Sequence, residues 1–369
     1  MFDRIRTTIA QKMAFYASRS LGSMFALMLL VIISQTNALA DSVSQTFPLS
    51  PGSTPQWVAV TPNNSTVFVT NFNLQTVSAF SVSGNQISII QTIKPGLDLG
   101  LSNANPSGIG VTPDGTQLWI CLPNLNKVAV YNIVPSFPFP TFTLRASVNV
   151  GLFPFAVAFK HNSGQAYVTN NSSGTVSVIS VASDTVTNTV TVGNGPAGIT
   201  NAFDPVGGTN TIFVANQNDN TVSYFHPSDL IVGTIAGAGS APFGIASGTS
   251  GSVVYVTNIS GDSMQVIDAN LHTITKTVNN ASCTIDKGVA TTCLQSPRGV
   301  TVISTVDGDR VYVANGTDNS VAKFKGVGVY KSKVSVGTTP MGVGSTFSDT
   351  LIFCANQFSD SISVIDSTL

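Results

Sequence analysis

One repeated motif limits what this chain can fold into. A short apolar run ends in Asn, a polar turn follows, and a second apolar run is under way six residues after the Asn. Copies read VFVTNFNLQTVSAF at Asn71, AYVTNNSSGTVSVI at Asn170 and IFVANQNDNTVSYF at Asn216. VYVTNISGDSMQVI carries Asn258, VYVANGTDNSVAKF carries Asn315 and IFCANQFSDSISVI carries Asn356; LWICLPNLNKVAVY keeps the spacing with Leu122 in the Asn place. A proline precedes each copy: Pro55, Pro106, Pro154, Pro196, Pro242, Pro297 and Pro340. The interval from proline to the Asn position is 16 residues in five copies, 20 in the fourth and 18 in the sixth. Between them lie turns such as TPNNST, TPDGTQ and KHNSGQ, built from residues that tolerate tight-turn dihedrals. Each unit is therefore strand, turn, strand, Asn turn, strand, loop, strand over 42 to 55 residues. That is the period and strand count of a propeller blade.

Composition agrees. Of 369 residues 43% are hydrophobic and only 9% charged, and there is no Glu. Helical surfaces draw on Glu, Lys, Arg and Gln for propensity and for pairs four residues apart. A chain rich in Val, Thr, Ser, Asn and Gly favours strands and turns. The expected class is all-β.

The first 40 residues follow a different pattern. Arg4, Arg6, Lys12 and Arg19 precede the apolar run Met24 to Ile33, and Ala38-Leu39-Ala40 supplies a small-x-small cleavage pattern. This is the layout of a secretory signal peptide, with Met13 a second candidate start. The alternative is an uncleaved anchor, against which stands an apolar run shorter than the ~20 residues that span a bilayer. Residues 41–369 then carry 12 basic and 16 acidic side chains. A negative chain without a basic patch argues against nucleic acid and anionic membrane as partners. No other segment has the character of a membrane span, so the expected product is exported to the periplasm, the cell surface or the medium.

Seven copies predict seven blades, and the chain ends show how the ring closes. The last copy ends SISVIDSTL, three strands into its blade, while VSQTFPLSPGST near the start supplies a strand with no blade of its own. Gly52, Gly151, Gly193, Gly239 and Gly337 each stand three residues before a blade proline. Residues 43–50 are expected to pair with the final blade as its outer strand. Pro48 and Pro51 suit an edge strand and not a central one.

The tetrapeptide YVTN stands intact at Tyr167–Asn170 and Tyr255–Asn258. With its VFVTN, VYVAN and IFVAN variants and the following SVID-type strand, the chain resembles the YVTN β-propeller repeat family along essentially its whole length after residue 40. It departs from that pattern at Leu122 and in insertions within blades two and five. The resemblance implies an extracellular, surface-layer or periplasmic propeller without a shared catalytic activity, whose usual role is binding; some exported members bind DNA.

Motifs for chemistry are sparse. Gly-x-Ser-x-Gly, phosphate-loop, dinucleotide and Cys-x-x-Cys patterns are absent. His161, His226 and His272 fall in three different blades, so no shared metal site is expected. Asp307-Gly308-Asp309 falls in a hairpin turn, short of the six or more oxygens calcium takes. No cofactor is expected. The repeated Asn is taken as a turn-former that bonds local backbone and adopts a left-handed conformation. Cys283 and Cys293 bracket an insertion just before Pro297 and are expected to form a disulfide. Cys121 and Cys354 are expected to be small buried residues.

Ring geometry yields two binding surfaces. In a propeller the residue after each blade proline rims the central funnel: Gln56, Ser107, Phe155, Ala197, Phe243, Arg298 and Met341. Apolar residues with one Arg suit a carboxylate-bearing ligand, because the guanidinium offers a bidentate fork; the alternative is a packed mouth with Arg298 solvated. The second surface is the insertion Ile133–Arg145, with Phe137, Phe139 and Phe142 projecting from the opposite face or folded back on the blade. The leading expectation is an exported non-catalytic interaction module of the cell envelope, partnered by a protein or another envelope component, with a small molecule next. The alternatives are a lactonase- or lyase-like enzyme with a funnel-face site and a DNA-binding exported propeller.

Overall fold

In each repeat the run leading to the Asn position is apolar, except for Thr70, Thr169 and Thr257 just before the Asn in three blades, so it offers little face to water. A strand of this kind is stable only with packing on both sides. The computed structural model describes residues 41–367, except 206, 286–288, 306, 348 and 349; the proposed signal segment 1–40 lies outside the described residues. Seven four-stranded antiparallel sheets form a ring. Blade one comprises Pro55–Val60, Thr66–Asn71, Thr76–Ser83 and Gln86–Ile93, ordered from the axis outward. Among the described residues helix is nearly absent; one short turn, Pro95–Asp98, joins blades one and two.

The second strand is the buried element of each blade. Its last five residues, such as Val67–Asn71, Ala166–Asn170 and Val254–Asn258, are at most 3% exposed in all seven blades. Their side chains fill the clefts on both sides. Trp119 packs edge-on to Phe159 at 5.7 Å, and Tyr167 to Phe225 at 6.1 Å. Each such layer joins two adjacent blades, so the core is a series of inter-blade wedges.

The ring closes as the chain ends imply. Strand β1 (Ser42–Pro48) pairs antiparallel with Ser361–Asp366 as the outer strand of blade seven, matching Val43 with Ile365 and Phe47 with Ile362. Pro48 ends this edge strand and Pro51 lies just beyond it. Asp41, just ahead of this strand, adds a buried latch to blade six. Its carboxylate meets Lys323 Nζ at 2.6 Å and accepts from Tyr312 Oη at 3.2 Å.

The repeated Asn does not act as a turn-former. Asn170 is wholly buried, and its Nδ2 donates to Thr175 Oγ1 and Ser177 Oγ, both at 3.0 Å, across to the third strand. Asn71, Asn216 and Asn356 make the same pair of bonds. None of the six has a positive φ. The left-handed residue comes four positions later in every blade, at Gln75, Asn126, Gly174, Asn220, Asp262, Asn319 and Asp360. The Asn is a buried tie between strands.

That left-handed residue also joins neighbouring blades. Asn220 Oδ1 accepts from Ala241 N at 2.8 Å, Asp262 Oδ1 from Ser296 N at 2.7 Å, and Asp360 Oδ1 from Thr54 N at 2.8 Å, the last across the closure. In each of these three the donating amide belongs to the residue before the next blade proline. All seven residues in that place have positive φ, from 25° at Asn105 to 64° at Gly195. Strain of this kind often marks a functional site. Its recurrence in all seven blades identifies it here as part of the blade connection.

Candidate functional site

The same connections aim the residues after each proline at the ring axis. Ala197, Phe243 and Met341 are buried together there, with Trp57, Phe155 and Ile259 packed against them. Trp57 stacks on Phe243 at 5.8 Å, and Phe155 stands edge-on to Trp57 at 5.9 Å and to Phe243 at 5.5 Å. Together these rings plug one mouth of the axial channel. Beneath lies a cavity of about 100 Å³ lined by Trp57, Gly108, Gly198, Gly244 and Val300 among others.

Trp57 was not among the expected rim residues. It sits two places after its proline, where five blades carry Gly108, Gly198, Gly244, Gly299 and Gly342. A Cβ at any of these five would strike backbone at the start of the next blade, as Gly198 would strike the Phe243 carbonyl. Small residues there let inner strands approach closely. Only in blade one is the position given to a large ring. The recurring Pro-x-Gly, and its replacement by Pro-Gln-Trp, was the available signal.

Arg298 provides the charge at this mouth. Its Nη1 approaches Met341 Sδ at 3.0 Å, its side chain lies against Gly316, and its Nε is buried without a partner. Among the described residues no carboxylate pairs with it, and burial pushes the guanidinium below its usual value. Trp57 Nε1 is a second buried donor without an acceptor among the described residues. Each is an unsatisfied donor beside the aromatic cluster, the kind of group an anion with an apolar body would satisfy.

The other expected rim residues differ in role. Ser107 is buried and its Oγ donates toward the Pro154 and Phe155 carbonyls, both at 3.3 Å. It ties blade two to blade three. Gln56 is half-buried, with its backbone carbonyl against Gly342. The disulfide joins Cys283 and Cys293, whose Cα atoms are 6.1 Å apart, just ahead of Arg298. Asn315 Nδ2 holds this insertion to blade six by donating to the Cys293 carbonyl at 2.9 Å. Cys121 and Cys354 are buried free thiols, and burial pushes both well above the usual thiol range.

The Phe-Pro insertion divides its three rings. Phe137 is 98% exposed and Phe139 45%, whereas Phe142 turns inward, edge-on to Phe68 at 5.1 Å. The histidines are not all isolated. Outer-blade residues His226 and His272 lie with ring centroids 6.1 Å apart, and His272 stacks on Tyr224 at 3.7 Å. Blade neighbourhood, which sequence separation hides, brings them together. Burial and His226 lower the His272 pKa. Among the described residues no group of three or more His, Cys, Asp or Glu could hold a metal ion.

Residues 28–200 match the sequence profile of the family described as lactonase, 7-bladed beta-propeller. No curated protein sequence matches the chain. Among solved structures it is similar to a streptogramin B lyase, at 16% identity and TM-score 0.67, covering 87% of this chain and 96% of that one. Virginiamycin B lyase from Staphylococcus aureus is similar at 12% identity and TM-score 0.65, covering 87% and 98%. Kuenenia stuttgartiensis hydrazine synthase is similar at 15% identity and TM-score 0.67, covering 87% and 97%. Similarities at these identities concern the fold, and together with the seven four-stranded sheets they make this chain a seven-bladed β-propeller.

Proposed function

We propose that the protein is an exported propeller of YVTN type that binds a carboxylate-bearing small molecule at the plugged axial mouth. Arg298 holds the carboxylate, and Trp57, Phe155, Phe243 and Met341 receive the apolar part. The observation that carries this reading is the Arg298 Nε, buried beside the aromatic plug without an ion-pair partner among the described residues. The disulfide, together with the lack among the described residues of a helix long and apolar enough to cross a membrane, is compatible with export.

Titration calorimetry with phenylacetate, indole-3-acetate and hexanoate, each beside its neutral amide, tests this. At least one acid is expected to bind the protein more tightly than its amide, and Arg298→Gln to abolish the difference. Equal behaviour of acids and amides with the native protein would refute it.

A second reading has the same mouth catalytic, and the lactonase profile match supports it. The expectation of a non-catalytic module has no comparable support. Opening a lactone yields a hydroxy acid, the kind of anion Arg298 would hold. Proton release at constant pH from a lactone panel distinguishes turnover from capture, with Arg298→Gln as the control. No release above the uncatalysed rate would leave binding as the function.

A further inference from the structure

The inner strands of the blades run from the plugged mouth to the opposite face, where the channel opens again. There a cavity of about 550 Å³ is lined from blades three to seven, well within the range of small-molecule pockets. Its walls carry Asn201, Ser247, Ser345, Phe203 and Phe347, and none of the lining residues is Asp, Lys or Arg. We infer that this opposite mouth is a carbohydrate site, taking an uncharged pyranose unit.

The Asn201 amide is oriented in advance. Its Nδ2 donates to the Phe159 carbonyl at 3.1 Å and to Asn210 Oδ1 at 3.0 Å, which fixes the ring of contacts around it. Its Oδ1 is buried and has no donor among the described residues. A ligand hydroxyl would satisfy that acceptor. Ser345 Oγ bonds Thr301 Oγ1 at 3.0 Å and keeps further hydrogen-bonding capacity, since a hydroxyl has one donor and two lone pairs.

Two aromatic rings complete the wall. Phe203 is held by His161, stacked at 4.0 Å with an interplanar angle of 6°. Phe347 is 65% exposed although it lines a cavity. Aromatic faces beside hydroxyl and amide groups suit a sugar, which presents apolar C–H faces and a rim of hydroxyls. His161, its ring stacked on Phe203, is the one titratable side chain among the lining residues. The aromatic plug separates this cavity from the Arg298 mouth, so the site is independent of the carboxylate proposal.

Saturation-transfer NMR and titration calorimetry with glucose, galactose, mannose, N-acetylglucosamine, maltose and cellobiose test the assignment. At least one sugar is expected to bind the native protein. Phe347→Ala should weaken it tenfold or more without lowering the melting temperature, since the ring is exposed; Ser345→Ala should weaken it several-fold. Arg298→Gln should leave it unchanged. Absence of saturation transfer from all six sugars would overturn the inference. So would sugar binding that survives Phe347→Ala undiminished, or that is lost in Arg298→Gln.

Discussion

Replacing Asn170 with Ala should destabilise the propeller by about 3 kcal/mol. Two hydrogen bonds are lost, from Nδ2 to Thr175 Oγ1 and to Ser177 Oγ. A typical net hydrogen bond contributes about 0.5–1.5 kcal/mol, and a buried group left unpaired costs about 1–3 kcal/mol. Ser177 is buried and takes the larger cost, whereas Thr175 is half-buried and takes less. Unfolding entropy of about 2.1 cal/mol/K per residue, applied to Asp41–Thr368, converts each kcal/mol into about 1.5 °C. The melting temperature should fall by about 4–5 °C. The assay is chemical denaturation beside calorimetry, on Asn170→Ala, Ser177→Ala and the double variant. Because Asn and hydroxyl act as one unit, the double variant should be more stable than the sum of singles by about 1 kcal/mol, the kind of coupling found between contacting residues. Blade two already replaces the unit together, with Leu122, Lys127 and Ala129 at the Asn and hydroxyl positions. Asn170→Gly should cost at least as much as Ala, because the residue does not need a positive φ. A Gly variant as stable as the native protein, or a cycle with no coupling, would refute the strand tie and restore the turn-forming role.

Three further outcomes follow from the seam and the insertion. Lys323→Met should cost about 3–5 kcal/mol by leaving the buried Asp41 carboxylate without its cation, and Lys323→Met/Asp41→Asn should recover much of it in denaturant melts. Burial raises the Asp360 carboxyl, but hydrogen bonds from Thr54, Gly52 and Ser53 outweigh it and hold the group below its usual value. A pKa lowered on folding gives stability that is present above the unfolded value, about 3.9, and lost as pH falls through the folded one; acid melts of the native protein should therefore fall more steeply below about pH 4 than those of Asp360→Asn. Replacing both Cys283 and Cys293 by Ser opens a closure of sequence separation 10. It should cost roughly 2–3 kcal/mol and leave far-UV circular dichroism unchanged, since the insertion lies outside the blades.

Much of the fold was legible because a propeller repeats its constraints. Seven prolines and seven Asn-position spacings fix the blades, and a supernumerary strand near the start implies the closure seen in β1. The role of the Asn was misjudged for a physical reason. An Asn ahead of a polar turn suggests local backbone bonding, yet burial decided the matter, and the structure shows the Asn itself enclosed with the rest of the strand. The partners were nevertheless written in the repeat, as hydroxyl residues five and seven places on at Thr175 and Ser177, Thr221 and Ser223, and Ser361 and Ser363. The pairing of His226 with His272 had no such trace, because it depends on how adjacent outer strands face each other.

The candidate site follows the opposite logic, since it lies where the repeat fails. Residues common to every blade serve the blade: the proline, the left-handed positions and, in most, the Asn and the glycine two after the proline. A ligand site needs asymmetry, and a ring of identical inner strands would offer none. Blade one supplies it with Trp57 in a glycine position, and blade six with Arg298 among otherwise uncharged neighbours. Blade four adds Asn201, and blade seven Phe347, at the other mouth. Reading each proline's first neighbour found Arg298, Phe155, Phe243 and Met341 but passed over Trp57, because the place after next is normally occupied by a residue too small to matter. Aligning the copies and asking which residue each blade alone carries would have found it. In a closed repeat, the substitutions that break the pattern without unbalancing the ring are those free to face a ligand.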